Sequence, residues 1–358
     1  MISKRLPTEL HVIRDIELIL GKRLPPGWSL YVDTQKRLGR FRIDLIVEIV
    51  APKGDRAVLV IEVKRTIEPR LVPMVIKQVL AASSEIQESA VPVVAGAYIS
   101  PRSRDMLSSA GIGYIDTTGN VHIEATWPGL FISTTGANRD PWPNDKFLQS
   151  LRGRGAARAV RAIVDHAPPF SIQELAAASG ASAPTISRVL MLLTKEDIVV
   201  REPRGPILAV DWQAAIRRWA MDYVQTRSNS ATTLLEPRGL PALREKLTRT
   251  RLTYAATGAF AAELFDPIAP ARTAALYVED ATKMADQLDL RESETGANVV
   301  LLEPLDSVVF DRTIWREGLR CVAPSQLCVD LLTGPGREPS QGEEMLRWMQ
   351  ENEDVWRA

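Results

Sequence analysis

The sequence predicts a multidomain α/β protein, and three observations carry that expectation. At 358 residues, with 45% hydrophobic and 25% charged side chains, the chain is long for one core and ordinary in composition for a globular protein. Apolar stretches with a period of two alternate along it with stretches of helical period. Two turn-rich breaks, Asp140-Pro-Trp-Pro-Asn-Asp145 and Arg227-Ser-Asn-Ser-Ala231, cut it into segments 1–139, 146–226 and 231–358.

Several classes drop out at once. No apolar run approaches ~18 residues, so no membrane span is expected. The charged start MISKRLPTELHVIRD does not suit a signal peptide, so a cytoplasmic location is expected. Two cysteines, Cys321 and Cys328, make no disulfide framework, and three scattered histidines make no His-based metal site. The net charge of zero hides a division. Residues 263–358 hold 9 Lys and Arg against 19 Asp and Glu, whereas 1–140 hold 18 against 15 and 150–220 hold 10 against 6. A polyanionic partner is therefore expected on the first two thirds.

In the first segment, Thr8 caps a helix whose apolar face is read as Leu10, Ile13, Ile16 and Leu20. Strands follow at 29–33, 42–50 and 57–64, the last two joined through the turn Pro52-Lys-Gly-Asp55. A helix at 71–84, a strand at 91–99, a helix at 103–110 and short strands at 114–116 and 121–124 complete the segment. Asp44 sits early in one hairpin strand. Glu62 and Lys64, two apart, share a face of the next, and pairing brings Asp44 towards them. Two carboxylates and an ammonium ending apolar strands suit Mg²⁺, held by Asp44 and Glu62 with water and phosphate oxygens, or Mn²⁺ in its place. Such a metal polarises a scissile phosphate and acidifies an attacking water, and Lys64 would orient that water or neutralise charge. The alternative is a plain surface ion pair between Glu62 and Lys64.

Asp44, Glu62-Val63-Lys64, the leading helix and the trailing helix together resemble the PD-(D/E)xK nuclease superfamily over residues 8–125. The resemblance implies a restriction-endonuclease-like α/β/α domain with catalytic Asp44, Glu62 and Lys64. It also implies a polar helical residue, matched by Gln78, and an upstream helical acid, matched by Glu9 or Glu17. Ile43 stands where the motif's proline would be.

The second segment reads as a helix at 157–166, a helix at 172–179 between the cap Ser171 and Gly180, and a third from Ser182 to Lys195. Ile186, Val189, Leu190 and Leu193 form its buried stripe. Two strands, 198–201 and 206–210, meet at the tip Glu202-Pro-Arg-Gly205. Leu175-Ala176, Gly180, Ile186-Ser187-Arg188 and Leu190 resemble the winged helix-turn-helix of bacterial transcription regulators. That resemblance implies that Ser182, Thr185, Ser187 and Arg188 face duplex DNA and that Arg204 touches its backbone, with a homodimer as the default on palindromic sites. Arg152, Arg154, Arg158 and Arg161 add positive charge at the entrance.

The third segment mixes helices (240–249, 281–288, 324–332, 341–353) with strands (252–256, 274–278, 299–303), an α+β pattern. Thr257-Gly258 reads as a turn between helix and strand, Asp306 and Asp311 as solvated loop acids, and Trp315, Trp348 and Trp356 as packing residues or as the lining of a dimer interface. The runs 253–262, 297–304 and 323–332 resemble the C-terminal domain of AbiEi-type antitoxins, which implies transcription regulation and a toxin partner. Two functions follow: a Mg²⁺-dependent DNA endonuclease guided by the winged helix, or an antitoxin-like repressor on a non-catalytic nuclease scaffold.

Overall fold

A computed structural model describes residues 6–38, 41–86, 90–142, 150–202, 205–265, 270–293 and 295–358. The chain divides into two compact units: Met1–Asp145 with Lys195–Asp197, and Lys146–Thr194 with Ile198–Ala358. Among the described residues no helix is long and apolar enough to cross a membrane.

The first unit runs α1 (Glu9–Gly21), β1 (Ser29–Leu38), β2 (Phe41–Val50), β3 (Arg56–Lys64), α2 (Val72–Ser83), β4 (Ala90–Gly96), α3 (Pro101–Ser109), β5 (Gly113–Asp116), β6 (Val121–Ala125) and β7 (Leu130–Thr134). Its seven strands pair in simple sequence order. The first three form an antiparallel meander, β3, β4 and β5 are parallel, and β6 and β7 return antiparallel. The run Val58–Ile61 is apolar on both faces because both are covered, as central strands of a layered sheet require. On one face Leu45, Val47, Ile61 and Val63 meet Val12, Ile16 and Leu20 of α1. On the other, Ile46, Val60 and Val94 meet Val75 and Val79 of α2 and Leu107 near the end of α3. The apolar face of α1 differs from the expected one: Leu10 is 72% exposed, and Val12 takes its place. Positions 12, 16 and 20 repeat every four residues, and Leu10, two before Val12, falls on the far side of the turn. Strand β7 was not anticipated; its Leu130 and Ile132 point inward and Phe131 outward.

The second unit runs α4 (Arg154–Asp165), α5 (Ile172–Ser179), α6 (Ala183–Lys195), β8 (Val199–Arg201), β9 (Ile207–Val210), α7 (Trp212–Ala220), α8 (Gln225–Ser228), β10 (Ser230–Leu235), α9 (Leu240–Arg249), β11 (Tyr254–Thr257), α10 (Gly258–Ala262), β12 (Ala274–Val278), α11 (Ala281–Gln287), β13 (Arg291–Glu292), β14 (Val299–Glu303), β15 (Ile314–Arg316), β16 (Leu319–Cys321), α12 (Pro324–Leu332), α13 (Glu338–Glu351) and α14 (Glu353–Trp356). Strands β8 and β9 pair as a small antiparallel ladder, and the others form a mixed sheet in the order β13-β10-β14-β12-β11-β16-β15. The capping box at Ser171 and Glu174 and the left-handed Gly180 (φ 63°) end α5 as its sequence demands.

One hydrophobic core runs continuously from α4–α7 into the second sheet. Residues 146–226 and 231–358 therefore share an interior. The polar stretch 227–231, read as a break, is the last turn of α8 leading into β10. Trp212 of α7 packs edge-on against Trp356, 5.1 Å between ring centres. Two arginines read as entrance charge are spent inside this joint. Arg161, 2% exposed, pairs with Asp165 at 2.9 Å and donates to the carbonyls of Val308 (3.1 Å) and Asp311 (3.0 Å). Arg158 forks onto both oxygens of Asp306, at 2.9 and 3.1 Å, so Asp306 is no solvated loop acid. Trp315 is 66% exposed and lies outside the core, whereas Trp348 stacks edge-on to Phe265 and Trp356 is buried.

Candidate functional site

In the first unit, Leu45 pairs with Ile61, so Asp44 stands opposite Glu62 one step beyond the last paired residues. With the ladder ended there, the Val63 N–H donates instead to Asp44 Oδ2 at 3.0 Å. That bond holds the Asp44 carboxylate against the end of β3. Glu62 and Lys64 lie on the Val60 side of the strand and form a direct hydrogen-bonded ion pair. The glutamate is the more enclosed of the two, 14% against 34% side-chain exposure. Burial pushes the Glu62 carboxyl up from its usual range; Lys64 opposes this, and the charges of Asp44 and Glu9 add to it. Burial works against the charge on Lys64, but Glu62, Asp44 and Glu9 together outweigh it and raise the ammonium. Two carboxylates and one ammonium meet at the end of β3, and the charge of Glu9 reaches them, leaving an excess of negative charge in a partly desolvated place.

Of the two upstream acids named from the sequence, Glu9 is thus the one whose charge reaches the site. Glu17 lies two turns along α1, beside Arg14, Leu18, Lys22 and Leu30. Gln78 is exposed on α2, next to the buried Val79, and among the described residues no hydrogen bond joins it to the acidic pair. Among the described residues no group of three or more His, Cys, Asp and Glu converges as a ready-made metal cage. The donor set nonetheless fits Mg²⁺, which is held by one or two carboxylates with the remaining positions left to water and phosphate. A cation there would offset the charges of Asp44 and Glu9, which add to the larger effect of burial on Glu62.

In the second unit, Ile186, Val189, Leu190 and Leu193 of α6 are buried and Ser182 and Arg188 are exposed, with Thr185 and Ser187 half-buried. Ser182 Oγ lies 2.9 Å from Thr185 Oγ1, and Arg188 Nε donates to the Pro184 carbonyl at 3.2 Å. The methyl of Thr185 turns inward, where a Cβ on Gly155 would come within 3.1 Å of it. Arg154 is exposed at the start of α4. Arg204 lies outside the described residues.

One cluster escaped the sequence altogether. Asp330, fully buried in α12, accepts from Thr257 (2.6 Å), Tyr223 (2.8 Å), Gln326 (3.0 Å) and Tyr277 (3.1 Å). Burial raises its carboxyl to about 6 despite those four donors. Gln326 lies four residues before Asp330 on α12, but Tyr223, Thr257 and Tyr277 come from three distant stretches, so no local spacing announces the cluster. Cys321 and Cys328 are buried and free; burial pushes the Cys321 thiol up to about 12, which makes it inert.

No family model and no curated protein matches the chain. Among solved structures it is similar to a repair endonuclease from Pyrococcus abyssi, with 13% identity over 32% of this chain and 49% of that one and a TM-score of 0.23. It is also similar to EndoMS in its dsDNA2 complex (13% identity, 33% and 48% covered, TM-score 0.24) and in apo form (15%, 31% and 46%, TM-score 0.22). The chain spans about half the length of the endonucleases it matches.

Proposed function

We propose that this protein is a metal-dependent endonuclease acting on double-stranded DNA, with a nuclease domain in residues 1–139 and a winged helix in 146–226. The observation that carries this reading is the meeting of Asp44, Glu62 and Lys64 at the end of β3, with Glu9 adding charge. Asp44 and Glu62 would hold Mg²⁺ or Mn²⁺, which supplies a Lewis acid and an acidified water when bound. The Val63 N–H fixes Asp44, and Lys64 orients Glu62 and stands ready to neutralise phosphate charge. In the second unit α6 would enter the major groove with Ser182 and Arg188 foremost, and the β8–β9 ladder would be the wing.

A second reading is favoured by the direct Lys64–Glu62 ion pair, which leaves each partner engaged with the other. On that reading the front domain clamps DNA without cutting, and the protein is a repressor of the antitoxin type. Incubation with supercoiled plasmid, with and without Mg²⁺ or Mn²⁺, separates the two. Metal-dependent nicking that is lost in Lys64→Ala while the gel shift persists is the expected result. Intact plasmid with a gel shift in both proteins overturns the endonuclease.

A further inference from the structure

Helix α6 turns outward a face with a narrow chemical repertoire. Pro184, Arg188 and Met191 are exposed on it, Met191 to 39%. Spaced four and three residues apart, they fall within a sector of about 60° on a helix of 3.6 residues per turn. At a rise of 1.5 Å per residue they span about 10 Å, the height of three base pairs stacked about 3.4 Å apart. Between Ala183 and Lys195 there is no Asn, Gln, Asp or Glu, the residues that select adenine or cytosine in the major groove. Ser182 and Thr185 hydrogen-bond to each other, and the half-buried Ser187 offers a hydroxyl, which pairs with any base. That leaves Arg188 as the selective donor of the face. Its Nε donates to the Pro184 carbonyl at 3.2 Å. Among the described residues nothing else bonds its guanidinium, so Nη1 and Nη2 remain as a fork.

Resting on the reading of α6 as the helix that enters the groove, we infer that it recognises a three-base-pair element: a G·C pair with a thymine on each side, on either strand. The Nη1/Nη2 fork donates to O6 and N7 of guanine, the pair of adjacent acceptors that sets guanine apart in the major groove. Pro184 on one side of Arg188 and Met191 on the other meet the thymine methyl groups, which give these apolar side chains surface to bury where cytosine has none. Charge favours a polyanion over an apolar protein partner on this face. The helix holds no acid, Arg188 is exposed, and the exposed Arg154 precedes Gly155, which lies against Thr185.

The test starts from duplexes that the full chain enriches out of a random-sequence library in metal-free buffer, where cutting does not enter. The enriched duplexes should share a guanine flanked by thymines. In the tightest of them, 7-deazaguanine in place of that guanine removes N7 and should weaken binding about 10-fold. Uracil in place of either thymine removes one methyl and should weaken it about 3-fold. These changes are made in the DNA and leave the fold of the protein untouched. Arg188→Ala should bind the guanine and 7-deazaguanine duplexes alike. Met191→Ala should lose the thymine-to-uracil difference at one flank while still telling guanine from 7-deazaguanine, because the two contacts are separate. Enrichment of a different element, retention of all duplexes alike, or modified duplexes that bind as tightly as the parent overturn the base assignment and leave DNA binding standing. A chain that retains no duplex overturns the placing of α6 in the groove, and the base assignment with it.

Discussion

Replacing Asp165 by Asn neutralises one half of a buried ion pair while keeping its shape. In the native protein the side chains of Arg161 and Asp165 are 2% and 3% exposed, with Nε 2.9 Å from Oδ2. Asp165 also accepts from the Ser325 hydroxyl. Removing one member of such a pair strands a charge in a medium that solvates it poorly and costs about 3–5 kcal/mol. The guanidinium keeps the carbonyls of Val308 and Asp311 and the Gln326 amide oxygen as acceptors, so the low end, about 3 kcal/mol, applies. In a unit of roughly 200 residues each kcal/mol moves Tm by about 2–4 °C, which gives a fall of roughly 6–12 °C. Calorimetry at neutral pH reads this directly. Because Arg161 and Asp165 of α4 join contacts on both sides of the shared core, residues 146–358 should still melt in one step. A fall below about 2 °C refutes the stranded-charge argument. A melt that splits, with the C-terminal strands unaffected, refutes the shared core.

Other outcomes follow from the same geometry. Asp330 has its carboxyl raised to about 6 against an ordinary 3.8, so the folded state binds its proton more tightly than the unfolded one. Its contribution is full below the ordinary value and is lost as pH rises through about 6. Relative to Asp330→Asn, denaturant melts of the wild type should lose up to about 3 kcal/mol between pH 4 and 7; a pH-independent difference counts against this. Ser171→Ala removes the cap of α5 and should cost about 1 kcal/mol by urea denaturation, and no change would mean the capping box contributes nothing. Arg188→Ala should weaken binding to a cognate duplex by ~1–3 kcal/mol in a salt-controlled titration, and unaltered affinity would remove Arg188 from the interface.

Much of this protein was legible in the sequence because the information was local. The cap at Thr8, the box at Ser171 and Glu174, the left-handed Gly180 and the period of two in Ile61–Lys64 each act within a few residues of themselves. Their elements therefore appear where the pattern puts them. Asp44, Glu62 and Lys64 were legible for a related reason: they lie on adjacent antiparallel strands, where nearness in space follows from nearness along the chain. The strands β7, β10, β13, β15 and β16 were not legible, although others as short, such as β5 and β8, were; the first four residues of β10 are exposed and carry no apolar alternation.

Only the tertiary structure could decide which arginines remain available to a polyanion. Arg154, Arg158 and Arg161 look alike in sequence, yet Arg154 is exposed and Arg161 is buried against residues 150 positions away. The same holds for Asp330, three of whose four donors come from distant stretches, and for the choice of Glu9 over Glu17. A charge is defined by the groups that surround it, and when those arrive from distant stretches nothing local records them. Burial then reverses the meaning of a polar residue, because the medium that would have solvated it has been replaced by specific partners.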